Sequence, residues 1–129
     1  MADSRLKGKR VAYVDSKENG SFMLSLRSWG EARGEISDMG LPELLERLES
    51  DSMSHRGESR VVVLGPSLSV LRDGGCHPLS ADFQHAYDAD EVYARRPDTG
   101  RLNRIIVDEE RLGSSVLKTA RWATTRKKP

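Results

Sequence analysis

Val61-Val62-Val63-Leu64-Gly65-Pro66 sets four apolar side chains in a row between polar Glu58-Ser59-Arg60 and a Gly-Pro break. Three of the four are β-branched and the run is short, which predicts a strand buried on both faces. Continuous apolar strands belong in the middle of parallel sheets rather than on solvated edges. In open α/β sheets, ligand chemistry collects beyond the carboxyl ends of the central strands. Here that position carries Gly65 and Pro66, with no acid, nucleophile or metal ligand.

Toward the N-terminus, Leu41, Leu44, Leu45 and Leu48 fall at helical spacing. Pro42 sits early, where its missing N–H is harmless, and Glu43, Glu46, Arg47 and Glu49 take the outer face. Residues 50–59 are rich in Ser, Asp and Gly and predict a loop. Arg33 to Asp38 predicts a weak strand near a sheet edge. Arg10-Val11-Ala12-Tyr13-Val14-Asp15 predicts the first strand, ending in an acid. Ser16 is then placed to cap a helix in which Phe22, Met23, Leu26 and Trp29 share a face before Gly30.

Toward the C-terminus, Ser67, Leu68, Val70 and Leu71 predict a short helix or turn ending at Gly74-Gly75, and His77-Pro78 opens a loop. Asp82 to Tyr87 predicts a fourth strand, Asp88 to Arg95 a short helix, and Leu102 to Val107 a fifth strand. Asp108 is placed to cap a last helix, with Leu112, Val116, Ala120 and Ala123 along one side. Strand and helix signals therefore alternate. The expected fold is α/β: a doubly wound sheet of parallel strands with helices on both faces.

A chain of 129 residues suits one domain, expected over residues 10–123, with a polar lead-in over 1–9 and a basic tail over 124–129. The cluster Arg5, Lys7, Lys9 and Arg10 and the run Arg126, Lys127 and Lys128 are expected to be solvated. A net charge of +1 argues against a dedicated nucleic-acid binder. Cys76 is the only cysteine, so no internal disulfide forms and a reducing, cytoplasmic setting is expected. No apolar run approaches the roughly 18 residues that span a membrane, so membrane insertion is not expected.

The opening "LKGKRVAYVDSKENGSFMLSLRSWG" resembles the start of receiver domains in bacterial hybrid histidine kinases. "RVVVLGP" is similar to the third receiver strand and "RLNRIIVD" to the fifth. The resemblance implies a flavodoxin-like fold of five parallel strands in the order 2-1-3-4-5. It also implies a phosphotransfer set that this chain lacks. Receivers carry an acidic pair after the first strand, whereas Asp15 is followed by Ser16. Their phosphoacceptor aspartate closes the third strand, where Gly65 stands. Tyr87 or Asp88 lies near the fourth-strand Ser/Thr position, and Val107 or Asp108 near the fifth-strand Lys. Acyl-phosphate formation needs a carboxylate nucleophile and a divalent cation, so the expectation is a non-catalytic pseudo-receiver with no cofactor.

Tyr87, Tyr93, Arg95, Arg96, Asp98, Arg101 and Arg104 gather aromatic and guanidinium groups in one segment. They are the candidate binding residues, since Tyr and Arg favour interface hot spots. The expected partner is a kinase core or a second receiver domain. Arg95-Arg96-Pro97-Asp98 also matches an Arg-x-x-Asp pattern that grips cyclic di-GMP, a ligand that would release the docked state. Two alternatives are a small phosphate- or nucleotide-handling enzyme using Asp15 and Asp108, and a receiver-like dimerisation domain of a transcription activator. His55, His77 and His85 are too scattered for a zinc site.

Overall fold

A computed structural model describes residues 4–28, 30, 34–68, 79–96 and 99–122. Its elements run β1 (Arg10–Ser16), β2 (Phe22–Ser28), β3 (Glu35–Met39), α1 (Leu41–Ser54), β4 (Arg60–Leu64), α2 (Leu79–Tyr87), β5 (Glu91–Arg95), β6 (Leu102–Leu112) and β7 (Ser115–Trp122). Short 3₁₀ turns lie at Ser4–Leu6 and Pro66–Leu68. All seven strands form one sheet in the order β3-β2-β1-β4-β5-β6-β7.

The class is α/β, and β4 is the buried central strand its sequence predicts, parallel to both β1 and β5. The sheet is nevertheless mixed: β2 and β3 add on one side, and β6 and β7 on the other, as antiparallel strands. The expected five parallel strands in the order 2-1-3-4-5 are therefore replaced. So are the helices on both faces. The chain steps from β3 through α1 to β4, and from β4 through α2 to β5, in the same direction across the sheet. Right-handed crossovers in one direction put both helices on one face. A single core accordingly joins Leu44 and Leu48 of α1, Phe83 and Tyr87 of α2, and Ala12, Val14, Val62, Leu64, Val92 and Ala94 from the strands.

The opposite face packs a smaller cluster of Val11, Val61, Val63, Tyr93 and Leu102 under Leu6. The start of the chain is thus built into the fold from the first 3₁₀ turn onward, where a polar lead-in is expected. Residues 124–129 lie outside the described residues.

Each departure has a local cause. Phe22, Leu24 and Leu26 reach the helix-side core at period two, which outweighs the helical spacing of Phe22, Met23 and Leu26. Asn19-Gly20 turns the hairpin: Gly20 has φ +85°, and the Asn19 side chain accepts the Ser21 N–H at 3.0 Å. In the expected fourth strand, Phe83, His85 and Tyr87 would share a face. Instead Phe83 and Tyr87 stack one turn apart on α2 while His85 is exposed. Asp88, at φ +51°, ends α2 rather than starting a helix. Val92 and Ala94 then alternate with Glu91, Tyr93 and Arg95 as a strand. Gly113, at φ +67°, closes a two-residue turn between paired Leu112 and Ser115, so the expected last helix is a β-hairpin.

Two further expectations are close. The leucine helix forms as α1 but runs on to Ser54, into the segment expected as loop. The weak second strand forms as β3 at the sheet edge. The short helix or turn expected from Ser67 begins in the 3₁₀ turn Pro66–Leu68; the rest of it, residues 69–75, and the loop at His77-Pro78 lie outside the described residues.

Candidate functional site

The loops leaving β1 and β4 part in opposite directions, β1 into its hairpin with β2 and β4 toward α2. Such a divide at strand carboxyl ends is where α/β sheets place ligands. Here it holds Asp15, Gly65 and the turn Pro66–Leu68. Asp15 Oδ1 accepts the backbone N–H of Ser16 at 2.9 Å and of Ser67 at 3.1 Å. Gly65 N–H donates to Val14 C=O at 2.8 Å, and its own carbonyl accepts Leu68 N–H at 3.0 Å. A Cβ at position 65 would lie 2.3 Å from both Asp15 Cγ and Oδ2, and 2.6 Å from the Tyr13 hydroxyl. The carboxylate of β1 therefore stands in the volume that a side chain at the end of β4 would need. Burial pushes the Asp15 carboxyl up, against the lowering effect of the N–H groups of Ser16, Ser67 and Leu68 and of the Ser67 hydroxyl.

Asp15 and Asp108 do not share a site. Through the register, Val14 is level with Leu64, Ala94 and Asn103 across the sheet. Asp108 lies three strands away and further along in the opposite sense. With strands ~4.8 Å apart and ~3.3 Å per residue, their backbones are separated by about 24 Å. The two acids cannot act on one phosphate or hold one metal. Among the described residues, no group of three or more His, Cys, Asp and Glu is placed to hold a metal ion.

The seven candidate binding residues separate. Tyr87 is fully buried in the helix-side core, and its hydroxyl donates to Asp51 at 2.6 Å. Arg95 and Arg96 leave the end of β5 toward opposite faces. The Arg95 guanidinium donates to Gly100 C=O at 2.8 Å, while Arg96 stacks on Trp122 with its Cζ 5.1 Å from the ring centre. Arg101 is exposed in the turn before β6, and Asp98 lies outside the described residues. Arg95 and Arg96 thus do not form one clamp.

Tyr93, Arg95 and Arg104 share the face away from the helices, and residues from the N-terminus reach Tyr93 and its neighbour Glu91. Tyr93 and Arg104 are direct partners across β5 and β6. The Arg5 guanidinium lies 5.1 Å over the Tyr93 ring and also donates to Leu102 C=O. The Glu91 carboxylate accepts Lys9 Nζ at 2.9 Å and the Tyr93 hydroxyl at 3.0 Å, with Arg104 at 3.5 Å. The Lys9 hydrogen bond, Tyr93 and the cations hold the Glu91 carboxyl below the usual range; burial and Glu91 together raise the Tyr93 phenol. Two cations, Lys9 and Arg104, thus share the Glu91 carboxylate. Sequence reasoning set Arg5 and Lys9 aside as a solvated run and assigned Glu91 to a helix. The available signal was Glu91, Tyr93 and Arg95 at period two.

The opposite, amino-terminal end of the parallel strands carries a structural network. Arg10 grips Asp51 bidentately at 3.0 and 2.9 Å, and Tyr87 completes the carboxylate. Burial opposes the Asp51 charge, but the hydrogen bonds from Arg10 and Tyr87 prevail and hold its carboxyl low. The Arg60 guanidinium is buried, and it donates to the carbonyls of His55, Glu58, Tyr87 and Asp88 and to the Asp88 carboxylate. One side chain thereby caps the ends of both helices, where a cation is favoured.

Comparison with known proteins gives no assignment: no protein family, no curated protein and no solved structure matches this chain. Among the described residues, no helix is long and apolar enough to cross a membrane.

Proposed function

We propose that this chain is a non-catalytic regulatory domain that acts by docking to another protein. The closed crevice at Asp15 and Gly65 carries the reading. At the point of the sheet where a nucleophile would act, the backbone has no side chain, and the neighbouring carboxylate is spent on the turn that follows. A phosphoryl group would need an acceptor and a cation site there. Regulation by docking then works through different affinities for two states of the partner.

The two-component setting rests on the sequence resemblance alone, because the strand order is not that of a receiver. A kinase core or a second receiver domain is accordingly the first partner class to test, by surface binding of the full chain to each. Absence of binding to both removes that setting. Cyclic di-GMP is the named release signal, and amide shifts on titration test it. The catalytic question is separate: the chain incubated with Mg²⁺ and acetyl phosphate should keep its mass. A phosphoryl adduct would overturn the non-catalytic reading.

A further inference from the structure

Arg5, Lys9 and Arg104 lie around Tyr93 and Glu91 on the sheet face away from the helices, and Arg95 follows on the same face of β5, diagonal to Arg104. We propose that this cationic face is the docking surface, and that its occupant is an acidic segment of a partner protein. The inference rests on the docking reading above and names the surface and the chemistry that it takes.

The cluster is ordered before any partner arrives. Arg5 is laid over a buried ring, Lys9 and Arg104 converge on Glu91, and Arg95 is tied to its own turn through Gly100. Ordering long basic side chains in advance removes part of the entropy cost of binding. Lys9 and Arg104 share Glu91, and among the described residues Arg95 bonds to a carbonyl rather than a carboxylate, so the surface stays attractive to anions. On the opposite side, α1 exposes Glu43, Glu46 and Glu49 beside Arg47. A local cationic field of this kind steers association.

Carboxylates suit this face better than a nucleic acid. Tyr93 is only 4% exposed and its hydroxyl is committed to Glu91, so it offers no ring for base stacking. Arg95 and Arg104 are diagonal neighbours across β5 and β6, since Arg95 pairs with Leu102 and Arg104 with Tyr93. Diagonal neighbours stand ~7–8 Å apart at Cα, and closer at Cβ, comparable with the ~5–6 Å between acids one turn apart on a helix. Guanidinium groups also pair with carboxylates bidentately.

Fluorescence anisotropy of a labelled glutamate-rich helical peptide, titrated with the full chain at low and physiological salt, tests the proposal. Binding should weaken with salt. Arg95→Glu with Arg104→Glu should cost about tenfold or more in affinity, while Arg47→Glu with Arg56→Glu, the same charge change elsewhere, should cost less than about threefold. Both double variants should keep the circular dichroism spectrum. No peptide binding, or equal losses in the two variants, overturns the proposal. So does preference for a labelled oligothymidylate, which would make the face a nucleic-acid surface. Salt-sensitive self-association in sedimentation, with no peptide binding, would make a second copy the occupant and overturn it too. None of these outcomes bears on whether acetyl phosphate modifies the chain.

Discussion

Adding one methyl group at position 65 should be costly only while Asp15 is present. In Gly65→Ala the new Cβ would lie 2.3 Å from Asp15 Cγ, against the ~3.5–4.0 Å of an ordinary carbon contact, so the carboxylate must move by more than an ångström. Overpacking of this kind costs ~1–3 kcal/mol. Moving Asp15 also loosens its bonds to the N–H groups of Ser16 and Ser67; hydrogen bonds to a charged acceptor contribute ~1.5–3 kcal/mol, and less at a half-buried site. A total near ~2–4 kcal/mol is expected. In an Asp15→Ala background the obstruction is gone, and Gly65→Ala should cost under ~1 kcal/mol; the Tyr13 hydroxyl, 2.6 Å away, supplies the remainder. Urea unfolding of the four proteins of this cycle, followed by circular dichroism with unchanged slopes, measures the coupling. If Gly65→Ala is harmless, or equally costly with and without Asp15, the closed crevice is not as described, and the case against a phosphoryl acceptor fails with it.

Other outcomes follow from the amino-terminal network and the carboxylates. Asp51→Ala leaves Arg10 and Tyr87 without their acceptor and should cost about 3–5 kcal/mol, whereas Tyr87→Phe should cost about 1 kcal/mol, both read from denaturant midpoints. Arg60→Met strands the carbonyls at both helix ends and should cost about 3 kcal/mol or more, with loss of helical circular dichroism at lower urea than wild type. Asp51 and Glu91 have carboxyls held low in the fold. Their contribution is present above the ordinary range near pH ~4 and is lost as pH falls through their folded values. Asp15 works in reverse: its raised carboxyl contributes below pH ~4, and that contribution is lost as pH rises through its folded value. Unfolding midpoints across acid pH should therefore fall less steeply in Asp51→Asn than in wild type. They should fall more steeply in Asp15→Asn. The same slope in all three proteins would contradict the assignment.

Much of the sheet was legible where a segment's pattern had only one solution. Val61 to Leu64 has no polar face, so it reads as a central strand, and it is one. The leucines of α1 repeat over two turns, and no strand can bury them together. Phe22 to Trp29, Phe83 to Tyr87 and Leu112 to Ala123 carry too few apolar residues to separate a period of two from one of 3.6. For the first and last of these, a tight glycine turn settled the matter by bringing an antiparallel partner within reach.

The absence of a side chain at the end of β4 needed only the sequence, because glycine is glycine in any fold. That Asp15 fills the space required the parallel register of β1 and β4, which sets residues fifty positions apart side by side. The cationic face needed still more. Arg5, Lys9, Glu91 and Arg104 come from distant segments, and each alone reads as an ordinary solvated charge. Local patterns are written residue by residue along the chain, whereas a constellation of charges exists only once the strands pair and choose which side of the sheet each residue faces.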